Sequence, residues 1–164
     1  MKFDITKIAN AILFMIENKV TNLNEKKLSA LLFLIDYTHL EKHGEKVFGE
    51  KYIKTKRAPE PKILGDLFRI IADDIDLEDE DERVYIITEL LDFLDIEILD
   101  KQKFVELGFI KMEKVYDPSL FFPNEKEVMS EIIRKYKNET PRQISNTTFG
   151  IEKVRETATS EVII

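Results

Sequence analysis
The 164-residue chain contains no cysteine. Disulfides, thiolate nucleophiles and cysteine-based zinc sites are therefore excluded, and a cytoplasmic protein is the expectation this usage fits. There are only two histidines, so a histidine-based metal site would have to draw further ligands from carboxylates. The five glycines are scattered, and none stands in the GxGxxG or GxxxxGKS/T order of a phosphate-cradling loop. No run approaches the ~18 apolar residues of a membrane span. The opening "MKFDITKIANAILFMIENK" has a short apolar centre, but Asp4 interrupts its start and no small-residue cleavage site follows. It reads as a domain helix, not a signal peptide.

What is present is ordinary in amount and uneven in placement. Hydrophobic residues make up 43% and charged residues 35%, the composition of a globular protein. The length suits one domain with its own core, and no linker or repeat divides residues 1–164. The net charge is −7, yet "DDIDLEDEDE" (73–82) alone carries eight acidic residues. Without that run the balance is about +1. The run is either a solvated loop or a docking site for a basic partner; it lacks the central glycine of a calcium loop. The one basic spot is "KYIKTKR" (51–57), with Lys51, Lys54, Lys56 and Arg57. A nucleic-acid binder shows a broader basic face, so DNA contact through these residues is the weaker alternative.

Periodicity predicts an amphipathic helix over 4–19 with Asp4 as its cap, and a second from Asn24 to about His43 that ends at Gly44. Leu28, Leu31, Leu32, Ile35 and His39 share one side of the second helix, and Phe33 and Leu34 widen its apolar face, which predicts a central, nearly buried element. "KYIKTK" alternates like a strand, and Pro61 suits the first turn of a helix carrying Ile63, Leu64, Leu67, Phe68 and Ile71 inward. Gly65 within that helix suggests a close helix contact. "RVYIIT" (83–88) reads as a strand. "ELLDFLDIEILD" (89–100) fits either element, helix first and strand later, and "GFIKMEKVY" (108–116) reads as a strand. Asn124 with Glu127 three residues on reads as a capping box before Val128, Met129, Ile132, Ile133 and Tyr136. Thr140-Pro141 opens a short last helix. The terminal Val-Ile-Ile either docks on the body or meets a partner.

The most suggestive chemistry is "HLEKH", His39 to His43. Positions i and i+4 share a helix face and could hold one metal. The hydrolytic zinc motif, however, places glutamate directly after the first histidine. Here Glu41 is two residues on, about 200° round the helix, and Lys42 occupies the position before the second histidine. A metal-dependent hydrolase using His39 and His43 is thus the weakest alternative, and neither a metal nor a cofactor is expected. Asp36, three residues before His39, could pair with it as base and orienting group, but no serine or cysteine nucleophile accompanies the pair. The expected role is a buried hydrogen-bonded pair that fixes the helix against the loop after it. No catalytic residue emerges, and an enzyme is not expected.

The run "KKLSALLFLIDYTHLEKHGEKVFGEKYIKTKRAPEPKILGDLF" (26–68) resembles the start of the SocA-like antitoxin domain, also called the Panacea domain and related to phage-associated GepA proteins. Leu28, Leu31, Leu32, Asp36, His39, Leu40, Gly44, Gly49, Tyr52 and Pro59 match its pattern in order and spacing. In "FPNEKEVMSEIIRKYKNETPRQISNTT" (122–148), Glu127, Ile132, Tyr136, Ile144, Ser145 and Thr148 do so. The departures are Ala58 for the glycine of a Gly-Pro turn, Phe149 for a histidine, and no tryptophan anywhere. The resemblance implies an antitoxin that binds a toxin encoded beside it and either occludes it or delivers it to a protease. It implies no catalysis, and with no long apolar run no membrane partner is expected. The expected fold is α+β, mainly α, with five to six helices and a small antiparallel sheet. Expected partner contacts are Tyr52, Lys54, Lys56, Arg57 and Pro59 of the strand and turn, Asp79 and Asp81 of the acidic run, and the C-terminal tail.

Overall fold
The computed structural model describes residues 2–164. Helix α1 (Ile5–Glu17) starts where the Asp4 carboxylate accepts the Lys7 amide at 3.0 Å. Helix α2 (Glu25–His43) starts where the Asn24 side chain accepts the Lys27 amide at 2.9 Å, and it stops at Gly44 in the left-handed conformation. Leu28, Leu31, Leu32, Phe33, Leu34 and Ile35 of α2 are all buried, so nearly every face of this helix is covered. Strands β1 (Tyr52–Lys54) and β2 (Pro59–Pro61) form one antiparallel hairpin, which leads into α3 (Lys62–Ala72). Helix α4 (Glu82–Phe93) runs into a second antiparallel hairpin, β3 (Leu94–Asp100) and β4 (Val105–Lys111). Helices α5 (Pro123–Tyr136), α6 (Pro141–Phe149) and α7 (Glu152–Glu156) complete the order, with α5 and α6 packed on α2.

The class is α+β and mainly α, as expected, but in detail the sequence reading needs correcting. Seven α-helices stand among the described residues where five or six were expected, and the strands form two separate hairpins instead of one sheet. Residues 83–88 are helical: Asp81 caps the helix and Leu90 is buried as α4 packs on α1. Tertiary packing overrides the strand propensity of Val84, Ile86 and Ile87. Strand β4 begins at Val105, before the expected 108, because it pairs from Asp100↔Val105 to Leu94↔Lys111, and it ends where β3 gives way to α4. Helix α5 is capped not by Asn124 with Glu127 but by Glu125, whose carboxylate accepts the Phe122 amide at 2.8 Å. Over Gly65 lies the Glu60 side chain, not a neighbouring helix. Helix α6 is not the last, since α7 follows. The C-terminal residues dock: Ile163 is buried, its amide donates to the Tyr52 carbonyl at 2.7 Å, and Tyr52 N–H donates to Ile164 at 3.0 Å.

The loop between α2 and β1 is held from inside. Asp36 is fully buried. One carboxylate oxygen accepts the Val47 and Phe48 amides at 2.6 and 3.1 Å, and the other accepts the Tyr52 hydroxyl at 2.7 Å. Asp36 does not bond His39, contrary to the expected pair. Each instead reaches the loop separately, with Asp36 at 47–52 and His39 at the Glu45 carbonyl. Burial pushes the Asp36 carboxyl up from 3.8 to about 6, while the Tyr52 hydroxyl and the two amides pull it down. Burial, reinforced by that carboxylate, keeps the Tyr52 hydroxyl protonated well beyond its usual range.

Two further buried charges set neighbouring elements. The Glu50 carboxylate accepts the Ile63 and Leu64 amides at 3.1 and 2.9 Å. It therefore caps α3, whose N-cap residue, Pro61, has no side chain that can do so. Lys27 donates to the Thr21 and Lys137 carbonyls at 2.6 and 2.7 Å, which ties the turn before α2 to the end of α5. Burial lowers its pKa.

Gly49 has φ of 72°, and an added Cβ would lie 2.1 Å from the Lys2 carbonyl oxygen, whereas Gly44 at 79° has open space. Gly44→Ala should cost about 1 kcal/mol in urea unfolding, from backbone strain alone. Gly49→Ala should cost clearly more; equal costs would contradict the close approach. Asp36→Ala strands three buried donors and should cost at least about 3 kcal/mol. Asp36→Asn keeps an acceptor and removes the titration. Since the folded protein holds the Asp36 proton more tightly than the unfolded chain does, stability from that proton is fully present below about pH 4 and is lost as pH rises through about 6. Relative to Asp36→Asn, the wild type should therefore lose about 2 kcal/mol over that window, and a flat difference would overturn the assignment.

Candidate partner-binding groove
The latch at Asp36 fixes the root of the β1–β2 hairpin, and the Glu50 cap fixes the start of α3. Between that hairpin, α3, the β3–β4 turn and the first turns of α2 and α6 lies an open groove of about 980 Å³. Its floor is apolar, with Ala58, Pro59, Phe68, Ala72 and Leu107. Phe68 packs on Phe109 with ring centroids 5.6 Å apart, which braces α3 against the second hairpin. Phe104 and Val105 line one side and are 57% and 40% exposed. Apolar side chains this open beside a concave floor are the usual form of a binding surface.

The charges around it are unequally matched. Glu25 accepts the Leu107 amide at 2.7 Å, Glu60 pairs with Arg69, and Glu106 accepts the Asn24 amide group at 2.9 Å. All three rim carboxylates therefore already have a donor. Lys26 lies 5.9 Å above the Phe104 ring. Arg57 and Arg142 make no ion pair among the described residues. The groove thus combines an apolar floor with unpaired positive charge on its rim.

The residues singled out by sequence fall into distinct places. Arg57 and Pro59 line the groove. Lys56 is exposed beside it, in a smaller depression with Lys62 and Arg69. Tyr52 is buried at the latch and reaches no surface. The Lys54 ammonium is held by the Val154 and Thr157 carbonyls at the end of α7, which removes it from the basic spot. Asp79 is exposed on the loop between α3 and α4. Asp81 caps α4 and pairs with Arg83 at 2.7 Å, and that hydrogen bonding holds its carboxyl down at about 2. Leu31, Leu32, Asp36 and His39 are inside, Leu40 is half-buried, and Gly44 and Gly49 shape the loop.

"HLEKH" resolves into two unlike histidines. His39 is buried, with Nδ1 2.5 Å from the Glu45 carbonyl oxygen and Nε2 2.9 Å from the Asn124 amide nitrogen. A carbonyl only accepts, so Nδ1 carries the proton and donates it, and Nε2 accepts a hydrogen bond from the Asn124 amide group. Both ring nitrogens are engaged, and ligation would require breaking one of these bonds. His43 is exposed, its ring 4.8 Å from that of His39. No group of three potential metal-ligating side chains occurs among the described residues.

Sequence reasoning missed Phe68, Phe104 and Arg142 as groove residues. Phe68 read as ordinary core, and Arg142 sits in a helix start with no visible role. Phe104, alone in the charged turn "DKQKF", was the one available signal, since an aromatic at a solvated turn needs a neighbour.

No helix is long and apolar enough to cross a membrane among the described residues. No curated protein and no solved structure matches the chain. The family model described as antitoxin SocA-like, Panacea domain, matches residues 28–152. That span takes in most of α2 with its latch, both hairpins, most of the groove lining and α6, and the chain belongs to this family.

Proposed function
We propose that this protein is the antitoxin of a toxin–antitoxin pair, and that it neutralises a toxin encoded beside it by binding across the groove. The carrying observation is the open apolar groove, rimmed by unpaired Arg57 and Arg142, in a chain of an antitoxin family. The proposed role is binding and not catalysis, exercised in the cytoplasm by the chain acting as a single domain. Burial of partner side chains on Phe68, Pro59 and Leu107 supplies the affinity at roughly 25 cal/mol per Å² of apolar surface. A stable complex needs about 800 Å² on each partner, so the footprint extends past the groove onto the exposed hairpin tips. The acidic loop at 73–80 is the second contact in this reading. It would speed association with a basic toxin surface.

Expression of the neighbouring reading frame alone should arrest growth, and co-expression of this protein should restore it. Arg57→Glu with Arg142→Glu should weaken the purified complex at least tenfold. Replacing the acidic residues of 73–80 with serine should slow association at low salt. A neighbour that is harmless alone would refute the toxin reading. Rescue and affinity unaffected by the groove substitutions would move the binding site elsewhere.

A further inference from the structure
The groove sets the chemistry of what can fill it: short-spaced apolar side chains for the floor, and carboxylates for Arg57 and Arg142. The chain itself carries a mostly exposed segment of that chemistry, the loop from Asp73 to Glu80. Ile75 is 49% exposed there. Asp73, Asp74, Asp76, Glu78, Asp79 and Glu80 are exposed and make no ion pair among the described residues. Within one molecule, then, unpaired carboxylates and unpaired arginines coexist without meeting. The loop begins one residue after Ala72, which itself lines the groove.

We propose that two copies of this chain associate reciprocally, each placing its 73–80 loop in the groove of the other. Asp73 ends α3, Asp74 is left-handed at φ 49°, and a turn follows at 79–80, so residues 75–78 form an irregular stretch between two turns. Exposed Ile75, with half-buried Leu77 two residues on, supplies apolar side chains for the floor, and the carboxylates on either side of them meet Arg57 and Arg142 on the rim. Because the loop is rooted at the groove margin, a two-fold axis passing there satisfies both grooves at once, as an isologous dimer requires. The net charge of −7 opposes this at very low salt. Near 0.1 M salt the screening length falls to about 10 Å, which suppresses the general repulsion and leaves direct contacts in place. The inference stands whether or not a toxin uses the same groove.

Analytical ultracentrifugation of the intact protein alone, near 0.1 M salt, tests it. With a dissociation constant on the order of 10–100 μM, the average mass should rise with concentration from 19.3 kDa toward twice that value. Ile75→Ser with Leu77→Ser should weaken association at least tenfold. Two further variants make a decisive pair: Asp73→Lys with Asp79→Lys in the loop, and Arg57→Glu with Arg142→Glu in the groove. Each should remain monomeric alone, and their mixture should form a heterodimer, because both loop–groove contacts are then complementary again. Recovery on mixing also demonstrates that both variants are folded. A protein that stays at 19.3 kDa at millimolar concentration overturns the proposal. So does association that survives the substitutions, or a mixture that stays monomeric.

Discussion

One buried carboxylate organises the surface that matters. Asp36 sits inside the central helix and receives the Val47 and Phe48 amides and the Tyr52 hydroxyl. Desolvation would make such a charge costly by itself. Three donors offset that cost and convert it into a constraint: the chain leaving α2 can take one path only. That path brings Gly49 against the Lys2 carbonyl, sets Tyr52 as the first residue of β1, and leaves Glu50 aimed at the open start of α3. The hairpin and α3 that bound the groove thus inherit their positions from a single side chain about one helix length away in sequence.

The same economy of charge recurs elsewhere. Glu50, Lys27 and Glu125 are buried ionisable groups, and each meets backbone amides or carbonyls at the end of a helix. Glu125 also pairs with Lys7 at 2.7 Å, tying α5 to α1. Such groups satisfy orphan backbone atoms that a short helix cannot satisfy itself. They make weak evidence for stability in isolation but strong constraints on geometry, since removing one partner leaves the other buried and uncompensated. The exposed charges behave oppositely. The carboxylates of 73–80 and the groove residues Arg57 and Arg142 make no ion pair among the described residues, so they remain available to other molecules.

Much of the scaffold could be read from sequence because local rules govern it. Asp4, Asn24 and Gly44 do what their types do at helix ends, and the apolar spacing of α2 states its burial directly. The signature Asp36, His39, Gly44, Gly49 and Tyr52 pointed to the family, and the structure supplies the reason: all five act on the α2–β1 loop. Reading failed where long-range packing decides. Residues 83–88 have strand propensity but lie on α1 as a helix. Asn124 looked like a cap and serves instead as a donor to His39, a partner 85 residues away. The groove itself was legible only in part, through Arg57 and Pro59, because its remaining walls come from segments distant in sequence.

In the proposed reading, the latch sets a partner surface bounded by the two hairpins and α6. Hydrogen–deuterium exchange of the protein alone and bound to the product of the neighbouring reading frame tests this most directly. New protection is expected at the backbone amides of 55–58, 104–107 and 142–145, with the already buried latch amides of Val47 and Phe48 little changed. Protection confined to α4 or α7, with the groove segments exchanging as in the free protein, would contradict it.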